Sequence, residues 1–157
     1  MKIQVICIGK TKHSALREWL PEYTKRLSYY TPFEWTEVPE LKNTKNFRES
    51  VQKEEEGKLL LKQLNQSDIL VLFDEKGASH TSKGFAGFLQ KKMNAGTKKL
   101  VFVVGGPYGF SENIYKRAQH KLSLSALTFS HQMVRIFVVE QLYRAFSILK
   151  NEPYHHE

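Results

Sequence analysis

Two periodicities alternate along this chain. Lys2–Ile8, "KIQVICI", is short, largely apolar and closed by Gly9, the pattern of a buried strand. From His13 to Tyr30 the residues Leu16, Trp19, Leu20, Tyr23 and Leu27 fall three and four apart, which predicts a helix. Pro21 kinks it or starts its second half. Phe33–Val38 alternates and predicts a second strand, and Pro39–Lys45 a polar connection. Phe47–Leu64 reads as a charged helix with its apolar positions late. Ile69–Phe73 reads as a strand running into a turn at Gly77. Ser82–Asn94 is a predicted helix with Phe85, Phe88 and Leu89 inward, and Lys99–Val104 is a fourth strand. Ser111 suits the cap of a short helix, with Glu112 near its positive end. Leu122–Phe129 alternates without helical spacing, so it is strand or extended loop. A long helix follows from about His131 to Lys150.

Strands alternating with helices predict an α/β fold, a mostly parallel sheet flanked by helices. Such sheets bind ligands outside the carboxyl ends of their strands. Two strands end in suitable loops, at Phe73–Gly77 and Gly105–Gly109. The second lies in "VFVVGGPYGF", Val101–Phe110. It is neither the dinucleotide pattern G-x-G-x-x-G nor a phosphate loop, since no G-K-[ST] follows. Its glycines let backbone approach a ligand closely.

The long helix is apolar on more than one stripe, through Met133, Val134, Ile136, Phe137, Val138, Val139, Leu142, Phe146 and Leu149. One of its sides is predicted to meet a second copy of the chain. Glu140 and Arg144 stand four apart with the acid first, a favourable pair. On so apolar a helix they mark a partly buried site.

Length and charge sharpen this. The 157 residues fit one domain. The net charge of +8, from 24 basic and 16 acidic side chains, points to a polyanionic partner, RNA or DNA first. Cys7 stands alone, and its apolar neighbours argue against a catalytic thiol. No apolar run approaches the ~20 residues of a membrane span. The amino terminus lacks the apolar core of a secretory signal, so a cytoplasmic location is expected. His155 and His156 have no spaced partners, and no metal is expected.

"MKIQVICIGK", "VFVVGGPYGF", "LSLSALTFSHQMVRIFVVEQLYRAFSI" and the closing "PYHHE" resemble the SPOUT-class methyltransferases, and within them the small RlmH type. The resemblance spans essentially the whole chain and is most specific in its last third. It implies a homodimer with a C-terminal trefoil knot that methylates nitrogen 3 of a pseudouridine in the helix 69 hairpin of 23S rRNA. It implies S-adenosylmethionine held by Phe73, Gly105, Gly106 and the segment Leu124, Ser125, Ala126, Leu127, Thr128 and Phe129. Apolar walls and free backbone groups suit an adenine bound without phosphate. Methyl transfer from a sulfonium needs in-line positioning and removal of the acceptor's proton. The candidates for that work are Tyr154, His155, Arg144, His131 and Glu140, with the tail of one subunit helping to build the other's site. Arg144 would hold RNA phosphate or the developing anion, and His131 could equally be a helix cap.

Lys10, Lys12, Arg17, Lys25 and Arg26 are candidates for gripping RNA, recognised by shape as a folded hairpin in the large subunit or whole ribosome. Two positions depart from the common family form: Ser130 stands where Pro often precedes His131, and His156 where Arg is often found. Three other readings remain at this stage. One is a SPOUT enzyme acting on tRNA or another rRNA base, against which the tail argues. The second is a non-catalytic RNA-binding assembly protein, against which the intact glycine loop and tail argue. A flavodoxin-like nucleotide binder would instead bind flavin or nucleotide and ignore S-adenosylmethionine.

Overall fold

The computed structural model describes residues 1–42 and 47–155. His156, and the end of the Pro39–Lys45 connection, lie outside them. The elements are β1 (Lys2–Ile8), α1 (Ser14–Ser28), β2 (Phe33–Val38), α2 (Glu49–Leu61), β3 (Ile69–Ser79), α3 (Ser82–Asn94), β4 (Lys99–Val104), α4 (Glu112–Arg117), β5 (His120–Ser123) and α5 (Val134–Leu149). The strands form one sheet in the order β2-β1-β4-β3-β5. Every neighbouring pair is parallel, so all carboxyl ends lie along the same edge.

The inner strands read as near-continuous apolar runs because both faces of the sheet are covered. Successive side chains alternate between two cores. Ile3, Val5, Cys7, Val71, Leu100, Phe102 and Val104 face α1, α3 and α5. Ile6, Ile8, Leu70, Leu72, Val101 and Val103 face α2 and α4. Caps fix two helix starts. The Thr81 hydroxyl accepts from the Gly84 amide at 3.0 Å, and the predicted Ser111 cap accepts from the Ile114 amide at 3.5 Å.

The predicted elements are all present, with two revisions of substance. α1 is one element with Pro21 inside it, and the Thr24 hydroxyl donates to the Pro21 carbonyl at 3.0 Å. β3 does not stop at Phe73 but continues to Ser79. Leu122 of β5 is opposite both Phe73 and Ala78, with an irregularity between them. Gly77 sits in that irregularity, not in a free turn. A Cβ on it would come within 2.6 Å of the Leu122 backbone. Glycine is required there for close approach of two chains.

Candidate functional site

Beside the middle of β3 and the carboxyl ends of β4 and β5 a cleft of about 830 Å3 opens. Phe73, Asp74 and residues 104–110 form two of its walls, residues 123–131 without Ala126 a third, and Glu49 and Lys53 reach it from α2. Eight of the nine residues expected at the cofactor therefore line one cleft. Ala126 does not; it is exposed on the outside of its loop. Phe73 is held by stacking on Phe102, with ring centroids 5.4 Å apart. The loop 123–127 is braced by its own serines. The Ser123 hydroxyl donates to the Ser125 carbonyl, and the Ser125 hydroxyl accepts from the Leu127 amide, both at 2.9 Å.

The glycine loop is tight for local reasons. Gly109 has φ +80° and its amide donates to the Gly106 carbonyl at 3.1 Å. A Cβ on Gly105 would lie 3.1 Å from Phe110 Cζ, and one on Gly106 only 2.5 Å from Glu56 Oε2. Glu56 is one of the functional candidates that sequence reasoning missed. It is 4% exposed; Oε1 accepts from the Gln52 amide at 2.8 Å, and Oε2 is buried without a hydrogen-bond partner. Burial raises its pKa, the Gln52 hydrogen bond opposes, and Glu40 adds to the rise. Asp74 and Tyr115 were missed as well. Both line the cleft, the Tyr115 hydroxyl donates to Asp74, and burial followed by this carboxylate pushes the phenol's pKa up.

The start of α5 closes another side. His131 lines the cleft. Burial and then Arg135 hold its imidazole below the usual histidine range; Glu40 opposes them and Lys12 adds a smaller push downward. Arg135, fully buried, donates to the carbonyls of Ile8 at 2.6 Å and His131 at 3.0 Å and to the Thr11 hydroxyl at 2.9 Å. Gln132 ties the same segment after β1, donating to the Lys10 carbonyl and accepting from the Lys12 amide. The cleft is thereby joined to the end of β1, a link that no spacing in the sequence signals.

The remaining candidates form a second cluster. Arg144 donates to Glu140 Oε1 from Nε at 3.0 Å and from Nη2 at 2.6 Å. Tyr154 donates to the same oxygen at 3.1 Å, and its hydroxyl lies 3.4 Å from that of Tyr23. Arg144 stands over the Tyr154 ring at 4.8 Å, and its Nη1 is 3.5 Å from His155 Nδ1. Burial and the Tyr23 hydroxyl push the Tyr154 phenol's pKa up. Burial would lower that of Arg144, but Glu140 outweighs it and the net shift is upward. None of these four side chains lines the cleft.

Of the expected RNA-gripping residues, Lys10, Lys12, Arg17 and Lys25 are exposed. Arg26 is half-buried, paired with Glu22 and 5.5 Å over the Tyr23 ring. Among the described residues no group of three or more His, Cys, Asp or Glu is placed to hold a metal ion.

A parallel sheet with a cleft at its strand ends, walled by backbone and aromatic rings, defines an α/β protein of the class that takes ligands along the carboxyl edge of its sheet. A family model described as "Predicted SPOUT methyltransferase" matches residues 1–155, and the chain belongs to that family. The protein called ribosomal RNA large subunit methyltransferase H in Flavobacterium johnsoniae is 59% identical over 157 residues, covering all of both chains. Its namesake in Christiangramia forsetii is 55% identical over 99% of each, and that in Bacteroides thetaiotaomicron 46% over the whole of each. Among solved structures, a probable methylase family protein from Haemophilus influenzae superposes with TM-score 0.53 at 15% identity, covering 99% of this chain and 70% of the other. At that identity the likeness concerns the fold.

Proposed function

We propose that the protein transfers a methyl group from S-adenosylmethionine to nitrogen 3 of a pseudouridine in helix 69 of 23S rRNA, on the assembled ribosome in the cytoplasm. The relatives' shared name supports large-subunit rRNA as the substrate. The cleft fits the cofactor: Phe73, Val104, Leu124 and Phe129 offer apolar walls for an adenine, and Gly105 and Gly106 present backbone with no side chain to fill the space beside it. When bound, S-adenosylmethionine supplies an activated methyl on its sulfonium. The protein's part is to hold the target base in line and to manage its proton.

The observation that carries this reading is the division of the candidates into two clusters. Eight cofactor residues and His131 line the cleft, while Tyr154, Arg144, Glu140 and His155 gather on α5 and the tail away from it. A homodimer in which one subunit's tail faces the other's cleft joins them, with the C-terminal chain threaded as the resemblance implies. In that site Tyr154, its proton held tightly, donates a hydrogen bond, and Arg144, fixed by Glu140, stabilises the anion that develops on the base. Methyl transfer from labelled S-adenosylmethionine to ribosomes lacking the modification tests the reading, with free rRNA and tRNA alongside. Label at the hairpin pseudouridine of the ribosome is expected. Deleting residues 154–157 is expected to abolish it and leave cofactor binding intact. Label on tRNA alone would move the substrate elsewhere within the family.

A further inference from the structure

Glu56 is used by nothing in the mechanism above, yet it is a carboxyl group 4% exposed, with one oxygen fully buried and unpartnered. That oxygen occupies the space where Gly106 would carry a Cβ. So Glu56 lies directly beneath the glycine loop, on the helix whose Glu49 and Lys53 reach the cleft. An unpaired carboxylate in such a place is costly, and a buried acid normally takes a proton or finds a cation. Among the described residues no cation is hydrogen-bonded or ion-paired to it, Lys53 one turn earlier on α2 included. Gln52 on α2 gives one neutral hydrogen bond. Glu40, after β2, repels a negative charge and is itself paired with Lys12. The glycine loop brings the Gly106 backbone, and the start of α4 brings the neutral Ser111 hydroxyl against the adjacent Gly57. The missing positive charge is one that a ligand in the cleft would bring.

We propose, resting on the reading of the cleft as a cofactor site, that Glu56 senses the cofactor's charge through the Gly106 backbone. It is a neutral acid when the cleft is empty and loses its proton to solvent when the cationic cofactor binds. The carboxylate then favours the sulfonium over the uncharged thioether product, and so favours product release. Glu56 is a positioning and specificity residue; it does not touch the reacting atoms.

Calorimetric titration of the full-length protein at pH 7, in buffers of different ionisation enthalpy, tests this with S-adenosylmethionine and with S-adenosylhomocysteine. The wild type is expected to release a proton with the first ligand and none with the second. Glu56→Gln, which keeps the shape of the neutral acid, is expected to abolish the release. It should weaken S-adenosylmethionine binding about tenfold, the equivalent of one pKa unit, and leave S-adenosylhomocysteine binding unchanged. Binding by the wild type without proton release overturns the proposal, as does an equal loss of both ligands in Glu56→Gln, which would mark a packing role alone. If Glu56→Gln does not fold, the buffer dependence of the wild type decides. A wild type that binds neither ligand overturns the reading of the cleft itself.

Discussion

Arg135 fastens α5 to the opposite end of the chain, and it does so while wholly buried, with Glu37 as its ion-pair partner at 3.6 Å. Removing one partner of a buried polar network leaves the others unpaired. Arg135→Leu is therefore expected to cost about 3–5 kcal/mol, read as a fall in the urea midpoint at unchanged slope. Cys7 is a different kind of buried residue. Burial pushes its thiol up to about 12, from 9.0, outweighing the pull of Arg135. The folded state keeps a proton that the unfolded state releases, so this thiol's contribution to stability is full below pH 9 and is lost as pH rises towards 12. Alkylation at pH 8 should be slow in the native protein and fast in denaturant; rapid native reaction would contradict the burial. Cys7 was legible in the sequence because its apolar neighbours already placed it in a core. Glu56 was not. It stands in the charged run "KEEEGK", and only the packing of a distant loop separates it from Glu54 and Glu55.

For the elements, legibility followed local pattern. The limits of β1, β2, α3 and β4 could be read from periodicity and breakers alone, because their neighbours in sequence punctuate them. The second half of β3 could not. Residues 74–79 are mostly polar or small, and what makes them strand is β5, more than forty residues away in the chain. Gly77→Ala should force β5 outward at Leu122. A cost of about 1–3 kcal/mol is expected, as for other overpacked sites, with weaker cofactor binding because residues 123–129 follow directly. An unchanged melting temperature would show that this contact yields easily. α5 combines both situations. Val138, Val139, Leu142 and Phe146 are buried in the core, whereas Phe137, and Met133 at the helix's N-cap, remain 37% and 46% exposed. Phe137 packs on Phe129, with ring centroids 4.8 Å apart, so the exposed apolar surface continues onto the cleft loop.

For the whole molecule, that surface is where the proposed second copy would sit, since a contiguous apolar patch marks an interaction site. Phe137→Lys is expected to turn a dimer into a monomer in sedimentation and to abolish methyl transfer; a wild type already monomeric at micromolar concentration would remove the composite site. The α/β class was legible in the sequence, but the strand order was not. Periodicity reports which residues are buried, not which strands become neighbours, and threading of the chain is a property of no single segment. The order has a consequence in time. β1 is synthesised well before β4, yet its Lys2–Cys7 must pair with Lys99–Val104 of that strand. Until β4 leaves the ribosome, β1 and β2 present an apolar sheet edge with no neighbour. Such long-range parallel pairings form slowly and expose aggregation-prone edges meanwhile. The nascent chain is thus most vulnerable during the synthesis of residues 39–104, and a factor that shields sheet edges would matter more to its yield than any gain in final stability.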